Sequence, residues 1–330
     1  MSYIYFLIII YPIIVLANII LSYKYNFVDK PNSRKVHYLP VSNTGGISLL
    51  IYSLLLIKFF EFSREIDTIL AIGSSMILIG FFDDRKNLEP SVKLILMIFP
   101  ILYLIFNGFT LNDLGSYEYI GLIRLGKFEI LFSILAIGLL INAYNYVDGI
   151  DGLLLGLSIT SLLYLYFLLD NIELKNFILM FIYPLVILII FNFFPIKTKL
   201  KTFLGDSGSL FLGFVFSFMI IFMYKYEDIH PAYLIWFCWY PVFDFLSVTI
   251  HRVLNGKKFY SADKIHLHHL ILKKYNFSHL KTTVIILIFN IIILSLGYII
   301  ANYFGKIYSL TAFIISFLFY YKIRSFLRKI

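Results

Sequence analysis

About eleven apolar runs, most of them long enough to cross hydrocarbon, take up most of this 330-residue chain and limit its fold more than any motif does. They cover roughly residues 3–22, 45–60, 68–82, 91–107, 128–147, 152–169, 177–194, 209–224, 232–250, 282–300 and 307–321. A bilayer core offers no water to backbone N–H and C=O groups, so runs of this kind close their hydrogen bonds internally as helices. With 60% hydrophobic residues, 14% charged residues and a mean hydropathy of +0.87, the composition excludes an ordinary soluble domain. The expected fold class is therefore all-α: a polytopic integral membrane protein of about eleven transmembrane helices, forming one transmembrane domain over residues 1–330. The hydrophilic stretch EFSREID (61–67) separates the second and third runs and predicts a helical hairpin there. The first run lacks a basic leader and a small-x-small cleavage site, so it reads as an uncleaved helix.

Lys and Arg collect on the cytoplasmic side of short membrane loops. Here 21 of them lie around the loops after the odd-numbered runs and at the C-terminus, against 7 around the remaining loops. The expected topology is N-terminus outside, C-terminus inside. The net charge of +9 then reflects this bias facing an anionic leaflet, and it calls for membrane lipid but no nucleic-acid partner. Cys238 is the single cysteine, which excludes an internal disulfide and any cysteine-based zinc site.

Charged side chains at the edge of hydrocarbon cost several kcal/mol unless paired, hydrated or metal-bound, so they mark candidate functional sites. Asp83 and Asp84, the group Asn142, Asn145, Asp148 and Asp151, then Asp206, and finally His266, His268 and His269 all fall on the Lys- and Arg-rich side. They can share one cytoplasmic site. Five carboxylates and two carboxamides are hard oxygen donors suited to Mg²⁺ held together with substrate phosphates, with Mn²⁺ as a substitute. Lys35, Lys93, Arg252 and Lys264 supply countercharge. Carboxylates, a divalent metal and basic side chains together suit phosphoryl transfer, where positioning and electrostatics do most of the work. The three-residue spacing from Asn142 to Asp151 predicts one slowly drifting helix face, and FLGDSGS (203–209) predicts a helix N-terminus whose free amides can meet a phosphate.

Five loops, in order, resemble the polyprenyl-phosphate N-acetylhexosamine-1-phosphate transferases, a glycosyltransferase 4 family, over residues 29–272: DKPNSRKVH (29–37) with Gly45-Gly46, GFFDDRKNLEPSVK (80–93), NAYNYVDGIDGL (142–153), FLGDSGS (203–209) and HRVLNGKKFYSADKIHLHH (251–269). The resemblance implies a transmembrane catalytic domain in the bacterial inner membrane, with its active site on cytoplasmic loops. It implies transfer of an N-acetyl-amino-sugar 1-phosphate from a UDP-sugar to undecaprenyl phosphate, with Mg²⁺ as cofactor and UMP as the second product. By the same resemblance Asp83, Asp84, Asp206 and His266 are catalytic. Asn145, Asp206 and Asp83 are metal ligands, while Lys35, Lys93, Asn142, Asp148, Asp151, Phe203, Arg252, His268 and His269 bind substrates. Phe203 resembles a ring that stacks on uracil, and a homodimer is the expected assembly.

His266-Leu267-His268-His269 resembles the branch that transfers simple amino sugars, which starts O-antigen, teichoic acid or related envelope glycans, more than the muramoyl-pentapeptide branch with its three consecutive histidines. That second branch is the alternative within the family. Ser42 stands where the family often has proline. The rival outside the family is a cation or organophosphate transporter, which needs polar groups near the midplane and an internal repeat. A CDP-alcohol phosphotransferase lacks its paired-aspartate signature here.

Structural readings stand beside these. Asn142 and Asn145 can join helices by amide hydrogen bonds, and the three histidines can be loop residues or a zinc site. Asp244 is expected to pair or set helix register, and Lys197, Lys199 and Lys201 read as a topology signal. The last sixty residues carry no recognisable chemical motif.

Overall fold

Each apolar run does become a helix in the computed structural model, which describes residues 2–31, 38–60, 62–258 and 264–329. The helices are α1 (Ser2–Lys24), α2 (Gly45–Phe59), α3 (Arg64–Lys86), α4 (Pro90–Phe106), α5 (Glu129–Val147), α6 (Leu153–Leu168), α7 (Ile172–Phe193), α8 (Gly205–Tyr226), α9 (Pro231–Leu234), α10 (Trp239–Leu254), α11 (Leu267–Tyr275), α12 (His279–Phe304) and α13 (Lys306–Lys329). Among the described residues 8 spans are long and apolar enough to cross a membrane, α9 and α10 counting as one. Helices α2, α4 and α6 are apolar but shorter, so the expected eleven resolve into eight full-length spans and three shorter helices. Two small sheets depart from the all-helical expectation: β1 (Val28–Asp29) with β2 (Val41–Ser42), and the hairpin β3 (Asp113–Tyr117) with β4 (Gly121–Arg124).

The span Pro231–Leu254 is broken between α9 and α10 by a tighter turn, Ile235–Cys238. Pro241 accounts for it, since a proline has no N–H and its ring crowds the carbonyl four residues back. That carbonyl belongs to Phe237, and it accepts the Ser161 hydroxyl at 2.7 Å instead.

Helix α8 is the buried axis of the bundle, with Phe211, Phe214, Phe216 and Phe218 all fully covered. Small residues bring its neighbours onto its backbone, as in membrane helices that lack a hydrophobic drive to associate. A Cβ on Gly80 of α3 would stand 2.3 Å from the Ser207 nitrogen, and one on Gly46 of α2 would stand 2.4 Å from the Gly208 nitrogen. Glycine at both positions is what lets the end of α3, with Asp83 and Asp84, meet the start of α8, with Asp206.

Loops alternate between the two ends of the bundle. Those after α1, α3, α5, α7 and α10 converge on one cavity. Those after α4, α6 and α8 meet at the other end, where Asn171 reaches Glu227 and His230 lies 3.0 Å from the Ser116 carbonyl of the hairpin.

Candidate active site

The two adjacent aspartates diverge. Gly205 adopts a left-handed backbone (φ +74°) that turns the chain into α8 and aims its first amides at Asp84. The Asp84 carboxylate accepts from the Asp206 N–H at 3.1 Å and the Ser207 N–H at 3.3 Å. It is therefore the cap of α8, favourably placed at the positive end of the helix dipole. This corrects the expectation of free amides there for a phosphate: Asp84 already takes those two. Asp83 faces the other way, accepting the Leu88 N–H at 2.8 Å and pairing with Lys93 at 2.7 Å.

Lys93 bridges Asp83 and Asp206, its Nζ lying 2.7 Å from an oxygen of each. Asn145, on the last turns of α5, donates its amide to Asp206 Oδ1 and to Ser209 Oγ, both at 2.9 Å. Two carboxylates and a carboxamide thus form a hard-oxygen corner suited to Mg²⁺. Among the described residues no group of three His, Cys, Asp or Glu side chains is arranged to hold a metal. The corner fits a cation that completes its shell with substrate phosphate oxygens and water, the usual habit of Mg²⁺.

The expected helical face from Asn142 to Asp151 is broken. Helix α5 ends at Val147, and Gly152 takes a left-handed conformation (φ +72°) before α6. Asp148 and Asp151 therefore sit on a turn, while the Asn142 amide donates to Gly138 O of its own helix and stays outside the cavity lining. Asn192 fixes the turn from α7, accepting the Gly152 N–H at 2.6 Å and donating to Thr202 O at 2.9 Å.

That turn forms one wall of a cavity of about 640 Å³, shared by Asp83, Asp84, Asp148, Asp151, Phe203, Asp206 and His269 among others. Lys264 lines it too, whereas Lys35 lies outside the described residues. Phe203 is anchored by its N–H to Ser42 O at 2.8 Å, and the buried Ser42 hydroxyl meets Thr44 at 2.8 Å. The Ser42 carbonyl, which a proline would supply equally, thus takes part in holding the residue whose ring was expected to stack on uracil.

Two residues absent from the expected set line the same cavity. Lys201, first read as a topology signal, pairs with Asp151 at 2.7 Å, and His279 meets the same oxygen at 3.0 Å. Burial pushes the Asp151 carboxyl up, but the His279 and Lys201 contacts outweigh it and hold it below its ordinary value. Burial, followed by the charges of Asp206, Asp84 and Asp151, pushes Asp148 up to about 8. Five of the lining carboxylates are accordingly offset in whole or part: Asp83 and Asp206 by Lys93, Asp84 by a helix terminus, Asp151 by Lys201, and Asp148 by a proton at neutral pH. A cavity rich in acids can then accept an anionic ligand.

The histidines divide. His269 lines the cavity, and burial, then the His266 and Lys264 charges, pull its imidazole down to about 4, so it is neutral. His268 is fully buried, with both ring nitrogens lacking a protein partner, and burial first of all holds it well below its usual value. His266 lies behind the cavity, its Nδ1 2.6 Å from Asp244 Oδ2. Arg252 is also buried behind it, its guanidinium 5.7 Å from the Tyr146 ring centre. Asp244 pairs as expected. The C-terminal region reaches this part of the chain, since Tyr320 donates to Asp244, Arg324 donates to Ser247 O, and His279 reaches the cavity. Their partners are tens of residues away, so no local motif announces them.

Residues 67–224, which supply α3 to α8 and most of this corner, match the model of glycosyl transferase family 4. Relatives of this chain extend the likeness beyond that stretch. It is 28% identical over 316 residues to an undecaprenyl-phosphate alpha-N-acetylglucosaminyl 1-phosphate transferase of Escherichia coli O157:H7, covering 90% of this chain and 83% of the relative. It is 29% identical over 259 residues to the protein of that name from Yersinia pestis, covering 76% and 70%. It is 27% identical over 278 residues to a probable undecaprenyl-phosphate N-acetylglucosaminyl 1-phosphate transferase of Bacillus subtilis, covering 82% and 76%.

Proposed function

We propose that this membrane protein transfers an N-acetyl-amino-sugar 1-phosphate from a UDP-sugar to undecaprenyl phosphate, giving undecaprenyl-diphospho-sugar and UMP. The observation that carries this reading is the corner where Lys93 joins Asp83 and Asp206, opening beside a cavity walled by Asp148, Asp151, Phe203 and His269. The likeness to transferases of that name in two distant bacterial groups supports it.

In the reaction a lipid-phosphate oxygen bonds to the β-phosphorus of the donor, and the bond from that phosphorus to the bridging oxygen breaks, releasing UMP. A phosphate monoester is mostly dianionic at neutral pH, so the attacking oxygen needs little help from a base. Asp83, Asp206 and the Asn145 carbonyl would hold Mg²⁺, which neutralises charge developing on the phosphoryl oxygens. Lys93 keeps the two carboxylates close and adds positive charge beside the transferring group. Phe203 offers a face for the uracil, and the Asp148–Asp151 turn offers polar contacts to the uridine. Asp84 acts by holding the start of α8, and with it Asp206, in place.

The cavity end of the bundle is the cytoplasmic end in this reading, because 21 of 28 Lys and Arg lie there. The product would open synthesis of an envelope glycan. Purified protein in detergent, given undecaprenyl phosphate, Mg²⁺ and a panel of UDP-N-acetyl-amino sugars, is expected to release UMP with one of them and to form the matching lipid product. Folded protein that releases no UMP with any donor contradicts the proposal.

A further inference from the structure

The segment that carries the histidines is held from behind by three residues of two helices. Arg324 of α13 is almost fully buried; its Nη1 donates to Ile265 O at 3.2 Å and its Nη2 to Ser247 O at 2.8 Å. Asp244 of α10 accepts the Leu267 N–H at 3.0 Å on Oδ1 and lies 2.6 Å from His266 Nδ1 on Oδ2. Tyr320 of α13 donates its hydroxyl to Asp244 Oδ1 at 2.9 Å. Residues 265, 266 and 267 are thus each gripped once, at the entry to α11.

The segment has little room to move. A Cβ on Gly149 would stand 2.5 Å from His268 Nε2 and 3.1 Å from His269 Nε2, so the two imidazoles rest directly on the Asp148–Asp151 turn. The two rings lie 4.3 Å apart. A further contact ties α11 to the same helix, with the Lys274 ammonium 4.9 Å from the Phe326 ring centre. A displacement of the grip would be carried straight to the cavity wall through packed side chains.

We propose that Tyr320, Arg324 and Asp244 are positioning residues that seat the His266–His269 segment against the Asp148–Asp151 turn, and so set how well the cavity engages the nucleotide-sugar donor. This rests on the transferase reading above. Asp244 adds a chemical constraint: a carboxylate accepting at Nδ1 fixes a His266 proton on that nitrogen and so sets the orientation of the ring.

The test uses the full chain in detergent, with UMP release measured as each substrate is varied in turn, and with a thermal midpoint for each variant. Tyr320→Phe keeps the ring and removes one hydrogen bond, so the KM for the UDP-sugar is expected to rise about 3- to 10-fold while the KM for undecaprenyl phosphate is unchanged. Arg324→Met is expected to raise the donor KM further, and Arg324→Lys to recover part of it. If Tyr320→Phe leaves both KM values at the wild-type level and lowers the rate only with the folded fraction, the grip is structural and the proposal is overturned. Should Arg324→Met not fold, Tyr320→Phe and Arg324→Lys still decide. His269→Ala separates the two readings. A donor KM unmoved by His269→Ala removes the histidine segment from donor binding, whereas one raised by His269→Ala but not by Tyr320→Phe removes only the grip. Wild-type protein that forms no UMP overturns the transferase reading itself.

Discussion

The Lys93 ammonium stands 2.7 Å from Asp206 Oδ2 across 113 residues of chain, and the same nitrogen stands 2.7 Å from Asp83. One lysine therefore offsets part of the charge of the two carboxylates that would otherwise attract a divalent cation most strongly. Lys93→Met leaves both without a cationic partner and is expected to cost about 1–3 kcal/mol of stability, the usual penalty for removing one side of a partly buried charged hydrogen bond. Transfer should fall by about 100-fold or more, since a charge beside the transferring phosphorus is lost. Mg²⁺ or Mn²⁺ should raise the thermal midpoint of this variant more than that of the wild type, because the ammonium no longer competes. Equal metal-induced shifts in the two proteins would argue against a cation at this corner.

Asp84 and Asp83 should respond differently to the same change. Asp84→Ala removes the cap of α8 and is expected to cost about 0.5–2 kcal/mol, while Asp84→Asn retains an acceptor and should recover much of that. Asp83→Asn weakens the pairing with Lys93 and should reduce transfer with a smaller change in melting. Thermal unfolding and initial rates on the same preparations check both. Matching profiles for the two residues would contradict the division of labour seen in their contacts.

The Asp148 carboxyl gives a pH signature. Its value in the folded protein, about 8, lies above that of an unfolded aspartate, so the folded state binds more protons between those limits. The stability this proton contributes is present in acid and is lost as pH rises through about 8. Asp148→Asn should flatten the fall in melting temperature between pH 5 and pH 8 in protein free of donor. An unchanged slope would mean that Asp148 is already ionised at neutral pH.

Asp67 lies at the end of the bundle away from the cavity, in the first turn of α3. Asp67→Ala loses a favourable contact with a helix dipole and should cost at most about 1 kcal/mol, with transfer within about 2-fold of wild type. Loss of activity in folded Asp67→Ala protein would contradict the placement of all the chemistry at one end.

The helices and the loops that carry the site were legible because hydrocarbon imposes one backbone solution, and because charged residues beside apolar runs stand out. Three parts were not. The hairpin from Asp113 to Arg124 is too short for an alternating pattern to show between two helices. The cap made by Asp84 depends on Gly80 and Gly205 letting α3 and α8 touch, a contact spanning 122 residues. Lys201 and His279 converge on Asp151 from 50 and 128 residues away, so Lys201 looks like one of a basic run and His279 like an isolated helix start. Asn142 shows the opposite error, since regular spacing placed it with the site although the helix ends at Val147 and its amide folds back onto its own turn.

The central claim is that the bond broken lies between the two donor phosphates, so that the sugar leaves with its phosphate. A UDP-N-acetyl-amino sugar labelled with ³²P at the β-phosphorus tests it most directly, incubated with purified protein, undecaprenyl phosphate and Mg²⁺. The account predicts that the label moves into the organic-extractable lipid while unlabelled UMP accumulates. Label left in UDP, with the sugar alone on the lipid, would contradict it, as would folded protein that transfers no label with any donor.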